Sequence, residues 1–233
     1  MRATTRAAAL AVAALAILPS GLAAHRAEHR PVAERPVMDY APQAAGSYTL
    51  PPIQPAPDGR VVAADGRTHR LAEFTRGRIT LLSLIYTYCI DPTGCILAYD
   101  TGLALRERLL GDPQLHGRAR FVSLSFDPIN DPPAAMRAYG AGNARADGPL
   151  PWHFLTTRSL KDLAPILDGL GQEIEVERDN RGRATRTISH MLKLFLIDRH
   201  GLVREIYSTA FLHVGAMLND IKTLAMEEDA ARR

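Results

Sequence analysis

The sequence predicts an α/β sandwich: a central mixed sheet, an N-terminal β-hairpin and covering helices. Three observations carry that prediction. Arg78 to Tyr86 is a nearly continuous apolar and β-branched run, the pattern of a strand buried on both faces. Arg120 to Phe126 repeats it, with a stretch of helical spacing between the two. Late in the chain, Met191 to Ile197 and Leu202 to Tyr207 read as two strands joined at Arg199-His200-Gly201, a hairpin.

The remaining elements follow in order. Tyr48-Thr49-Leu50 and Arg60-Val61-Val62 read as short edge strands, with Asp58-Gly59 and Asp65-Gly66 as turns. Leu71 to Phe74 leads into the first buried strand. From Ile96 a helix begins, with Leu97, Leu103, Leu105, Leu109 and Leu110 as its apolar stripe. Asp131-Pro132-Pro133 opens another, with Asp131 as N-cap and Pro132 at the first helical position. Trp152 to Leu155 is a short strand, and Ser159-Leu160-Lys161-Asp162 starts a helix. Gly169 to Ser189 is polar and reads as a loop, and Val214 to Met226 closes the chain as a helix. Parallel strands with covering helices, then a hairpin and a last helix, are what a thioredoxin-like sandwich requires.

The first residues depart from this globular pattern. Arg2 and Arg6 precede an unbroken apolar run from Ala7 to Leu18, then Pro19-Ser20-Gly21 and the small residues Gly21-Leu22-Ala23-Ala24. That is the order of a secretory signal peptide over residues 1–24. Twelve apolar residues fall short of the roughly 20 that span a bilayer, so cleavage is expected over anchoring. A short anchor or an Arg-rich transit peptide are the alternatives. Residues 25–46, rich in Ala, Pro, Arg and His, read as a flexible linker in which His25 and His29 are solvated. Residues 47–233 form the domain. Without the leader the chain keeps 26 basic against 25 acidic residues, a net charge of +1. So even a balance excludes nucleic acid as a partner.

Two cysteines remain, Cys89 just past the first buried strand and Cys95 at the start of the next helix. One close pair in an exported chain can be a structural disulfide, a redox disulfide or part of a metal site. A crosslink over so short a loop constrains the unfolded chain little. Ligands collect at the carboxyl ends of strands in open α/β sheets, and helix N-termini favour thiolate. Both cysteines are therefore expected to be reactive.

Here the residues resemble a known family. Ile85-Tyr86-Thr87-Tyr88-Cys89 resembles the strand-to-cysteine segment of the Sco/SenC proteins, thioredoxin-like copper chaperones of cytochrome c oxidase assembly. Phe121 to Pro128 followed by Asp131, Trp152 to Thr157, Ile188-Ser189-His190, and Leu194 to Asp198 with Gly201 resemble later segments of that family, in order. The resemblance spans Ser47 to Leu224 and implies a copper site made of Cys89, Cys95 and His190. Three departures stand out: five residues rather than three between the cysteines, Ile90 and Ile96 rather than proline after them, and Ser189 rather than an acidic residue before His190.

Asp91 and Asp127 fall nearest this site and could tune it, Asp127 otherwise being a turn residue before Pro128. His153 and His213 read as structural or solvated. The resemblance implies a periplasmic or otherwise exported metallochaperone that holds Cu(I) or Cu(II). It would pass copper to an oxidase subunit with a Cu-A centre or to another envelope copper protein, and meet the membrane only through an uncleaved leader. The competing reading is a thiol-disulfide oxidoreductase that cycles Cys89 and Cys95 with a thiol reductant, or a redox or copper sensor. Such oxidoreductases carry a cis-proline before the strand facing the cysteines. No proline follows Pro165 here, and Ser189-His190 occupies that place.

Overall fold

The computed structural model describes residues 38 and 40–233. The leader expected over residues 1–24, with His25 and His29, lies outside them. The strands are β1 (Gln54–Pro55), β2 (Arg60–Ala63), β3 (Thr68–Arg70), β4 (Ile79–Ile85), β5 (Ala119–Ser125), β6 (Trp152–Thr156), β7 (Ile174–Arg178), β8 (Ala184–His190), β9 (Leu194–Ile197) and β10 (Leu202–Tyr207). The helices are α1 (Ala72–Thr75), α2 (Cys95–Leu110), α3 (Pro133–Tyr139), α4 (Leu160–Gly169) and α5 (Val214–Ala230). Eight strands form one mixed sheet in the order β1-β10-β9-β4-β5-β6-β2-β3. β4, β5 and β6 run parallel, while β9 and β2 flank them antiparallel.

The two apolar runs become the sheet's centre because only there can both strand faces be covered. All seven residues of β5 are buried, and β4 exposes only part of Ser83. That serine bonds Ser123 Oγ at 3.0 Å, and the Trp152 indole N–H donates to the same oxygen at 3.0 Å. These three side chains at the sheet's centre thus satisfy one another. α2 and α5 pack together and α4 packs on β2. The β9–β10 hairpin closes at Gly201, φ +84°, where Asp198 Oδ1 accepts from the amides of His200 and Leu202 at 2.9 and 3.0 Å. Ser159 caps α4 through Asp162 N at 3.2 Å.

Five local expectations change. Tyr48 to Leu50 is not a strand: the Tyr48 hydroxyl donates to Asp220 of α5, and the edge strand sits at Gln54–Pro55. Residues 40–46, read as linker, include contacts to α5: Asn219 donates to Gln43 O at 2.7 Å, and Gly46 N donates to Thr223 Oγ1 at 2.9 Å. In α2 the stripe is narrower, since Leu110 is exposed and Leu103 only partly buried. Asp131 does not cap α3: Pro132 takes that position and Pro133 is the first helical residue. The segment read as a loop between Gly169 and Ser189 holds the β7–β8 hairpin, a separate two-stranded sheet. Its residues are mostly exposed on both faces, so they carry no apolar alternation for a sequence reading to detect.

Candidate functional site

β4 delivers the chain to the carboxyl end of the parallel strands, and Cys89 follows four residues later. The five residues between the cysteines close as one turn. Asp91 Oδ1 accepts from Thr93 N and Thr93 Oγ1, both at 2.8 Å, and Gly94 N donates to Asp91 O at 3.2 Å. A Cβ at Gly94 would sit 2.9 Å from Asp91 Oδ2, so the tight closure requires glycine there. Cys95 is then the first residue of α2 and buried, at 1% exposure, whereas Cys89 is only half-buried. Asp91 therefore shapes the loop.

The two thiols are coupled and unequal. The Cys95 thiol donates to Cys89 Sγ, and the backbone N–H groups of Cys95 and Asp91 point at the same sulfur. These contacts and the His190 ring lower the Cys89 pKa to about 6. Cys95 is pushed well above the thiol range, first by that hydrogen bond to Cys89 and then by its burial. The helix end was expected to favour thiolate at both cysteines. The Cys95 backbone N–H favours thiolate at both, but at Cys95 the hydrogen bond to Cys89 and burial outweigh it, so Cys95 holds the proton.

His190 ends β8 and faces this pair. Its Nε2 lies 3.9 Å from Cys95 Sγ, and its Nδ1 lies 3.0 Å from the Ile188 carbonyl. A carbonyl can only accept, so Nδ1 carries a hydrogen, and Nε2 is the ring nitrogen that faces the sulfur. Phe126 packs on the ring at 4.7 Å between centroids, with Tyr86 edge-on at 5.9 Å. Two metal–donor bonds to sulfur and nitrogen sum to about 4.3 Å. A separation of 3.9 Å therefore lets one ion touch both atoms without backbone movement. The donors match a soft or borderline metal. Among the described residues, however, no three His, Cys, Asp or Glu side chains are grouped closely enough to hold a metal ion as they stand. Cys95–His190 and Cys89–Cys95 meet as pairs, and Cys89 must turn toward His190 for the trio to close.

Alternate residues of β8 share one face. Arg186 lies 4.1 Å over the Tyr88 ring, buried Ile188 donates its N–H to the Tyr86 hydroxyl at 3.5 Å, and His190 meets Cys95. The hairpin thus lies over the cysteine loop. From below, Asp131 takes hold of the loop. At 1% exposure it accepts from Thr87 N at 2.9 Å, from the Thr87 hydroxyl, and from Ser125 Oγ at 2.6 Å. This is the physical reason it does not cap α3. Asp127 is a turn residue, buried and bonded to Asn130 N and Nδ2 at 3.2 and 2.8 Å. His213 caps α5 by accepting from Ala216 N at 3.2 Å.

Neither Asp131 nor Arg186 stood out from spacing alone, because each partner lies far off in the chain. The sequence marked Asp131 as a helix cap and within the family resemblance, but neither reading supplied its partners Thr87 and Ser125. Around the mouth, Tyr88, Ile90 and Met191 are exposed large apolar side chains beside the site residues. A cleft of about 190 Å³ between Asp91, Gly94, His190 and Thr209 opens onto it.

With the geometry established, comparisons place the chain. The copper-bound ScoI of Bradyrhizobium japonicum is similar at 17% identity and a TM-score of 0.57, covering 73% of this chain and 98% of that one. A SCO1/SenC family lipoprotein from Bacillus anthracis is similar at 22% identity and a TM-score of 0.60, covering 76% and 99%. Copper-bound yeast Sco1 is similar at 14% identity and 0.58, covering 78% and 96%. At such identities these likenesses establish the thioredoxin-like fold. No curated protein sequence matches. The SCO1/SenC family model matches residues 58–226, which include both cysteines, His190 and every strand of the central sheet but β1, and the chain belongs to the SCO1/SenC family.

Proposed function

We propose that this protein is a copper-binding assembly factor of the cell envelope that holds copper through Cys89, Cys95 and His190 and hands it to a cytochrome c oxidase subunit or another envelope copper protein. The observation that carries the reading is the 3.9 Å approach of His190 Nε2 to Cys95 Sγ, with Nδ1 committed to the Ile188 carbonyl. A histidine whose second nitrogen is held by a carbonyl is oriented as metal-binding histidines are. Copper is the cargo. Two thiolates suit Cu(I), and the imidazole adds the nitrogen that Cu(II) favours. Family membership and the copper-bound relatives support this choice of metal. The leader read in the sequence supports export, with the membrane met only if that leader is retained. Among the described residues no helix is long and apolar enough to cross a membrane. The exposed Tyr88, Ile90 and Met191 give a client an apolar rim to dock on.

Titration of the reduced protein with Cu(I) and Cu(II) tests the reading. His190→Ala is expected to weaken Cu(II) binding by tenfold or more, about the loss of one ligand's orientation, and to change the sulfur-to-copper absorption. Cu(I) binding and the fold should persist. Cu(II) binding like the parent's, with an unchanged spectrum, would remove His190 from the site.

A second reading has its own support. A half-exposed thiolate beside a buried protonated thiol is the arrangement of an attacking and a resolving cysteine. In that reading Cys89 and Cys95 form one intramolecular disulfide and cycle with a thiol reductant. Disulfide exchange that survives in His190→Ala, together with loss of copper binding there, would favour it.

A further inference from the structure

A second cleft lies at the opposite end of the parallel strands from the cysteines, about 20 Å away along the seven residues of β4. It encloses about 420 Å³ and is walled by His69, Glu73, Arg76, Arg78, Arg120 and His153. Three strands bring these basic side chains together. Arg78 precedes β4, and Arg120 and His153 are the second residues of β5 and β6. Thr80 pairs with Arg120 and Val122 with His153, so the parallel register sets these side chains in neighbouring positions.

The charges there are not balanced. Arg120 is 8% exposed, and among the described residues no carboxylate meets it. Its two Nη groups donate to the carbonyls of Glu73 and Arg76, and its buried Nε has no partner among the described residues. Burial and then Arg78 push the Arg120 pKa down to about 10. His153 is pushed down to about 4, by burial first and then by Arg120, Arg78 and His69. Glu73 is the one carboxylate in the wall, and it already serves His69 Nδ1 at 2.9 Å and Arg70 N at 2.7 Å. The Arg78 guanidinium makes no hydrogen bond or ion pair with the described residues. A buried guanidinium repelled by its neighbours is costly unless an anion joins it.

The geometry points to a binding site for a phosphate-class oxyanion, gripped by Arg78 and Arg120. Guanidinium forks match tetrahedral oxyanions with paired N–H donors, and several cations facing one carboxylate favour a dianion over a monoanion. The phosphate could belong to a small soluble molecule or to a lipid headgroup. This site is independent of the cysteines and of copper.

Calorimetric titration with inorganic phosphate, against chloride at matched ionic strength, tests it on the full chain. The parent is expected to bind phosphate and not chloride. Arg78→Gln should weaken binding by at least about tenfold, the worth of one charge-assisted contact. Arg78 has no bond to lose and repels Arg120, so the variant's melting temperature in chloride should equal or exceed the parent's and show that it folds. Vesicles carrying phosphatidic acid, whose headgroup is a phosphate monoester, against neutral phosphatidylcholine vesicles, with the parent and Arg78→Gln, identify the source. An Arg78-dependent preference for the anionic vesicles assigns a headgroup. Phosphate binding without that preference assigns a soluble ligand. If neither phosphate nor anionic vesicles bind, or if Arg78→Gln binds them as the parent does, the proposal fails.

Discussion

Asp131 shows how one residue can serve the site without touching it. Its carboxylate is buried and takes three donors from two segments, the Thr87 amide and hydroxyl and the Ser125 hydroxyl. Thr87 is two residues before Cys89, so Asp131 sets where the cysteine loop leaves the sheet. Asp131→Ala strips the acceptor from buried donors, and each unsatisfied group costs about 1–3 kcal/mol. We expect the variant to lose roughly 2–4 kcal/mol in urea unfolding. A change below about 0.5 kcal/mol would mean that Thr87 and Ser125 find other acceptors. Gly94 belongs to the same scale. Its missing Cβ leaves the space that Asp91 fills, and this is how a five-residue spacing still closes into one turn.

The β7–β8 hairpin carries His190 while lying outside the main sheet. Its hold on the cysteine loop is therefore side-chain work, by Arg186 over Tyr88, Ile188 against Tyr86 and His190 against Cys95. A cation over an aromatic ring at an exposed site is worth about 0.5–1 kcal/mol. Arg186→Ala should accordingly speed amide exchange across β8 by about two- to fivefold. Exchange in β4 and β5 should stay as in the parent. No change in β8 would show that Ile188 and His190 hold the hairpin unaided. Because His190 travels with β8, Cu(II) affinity in this variant should fall in the same proportion.

For the molecule as a whole, both cysteines are free thiols in this fold. Its response to acid follows from the arginine cleft. His153 has its pKa lowered to about 4 from 6.5, first by burial and then by Arg120, Arg78 and His69. The native state therefore binds fewer protons than the unfolded chain between those values, and stability rises with pH there. The contribution is fully present above pH 6.5 and is lost as the pH falls toward 4. The slope is at most ~1.4 kcal/mol per pH unit. His153→Gln should flatten the parent's decline across that window, measured by denaturation in chloride buffer. Parallel curves for parent and variant would show that His153 is protonated alike in both states.

Sequence alone determined the parts in which neighbours along the chain are also neighbours in space. β4 running into Cys89, α2 starting beside Cys95, and the Asp198–Gly201 turn are all local, and apolar runs, spacing and turn residues encode them. The pairing of His190 with the cysteines was legible only through the family resemblance, and contact across 95 residues supports it. Tertiary structure decided the rest. Asp131 left its capping role for a partner 44 residues earlier. Cys89 became the thiolate of the pair, because the Cys95 thiol and backbone N–H groups of the turn favour its charge while burial holds Cys95 protonated. The β7–β8 hairpin gave no alternation because most of its residues are exposed, with Ile188 alone buried. Arg78, Arg120 and His153 share a cleft because adjacent parallel strands set them on one sheet face, each two residues off its neighbour's register, a relation that chain spacing does not encode.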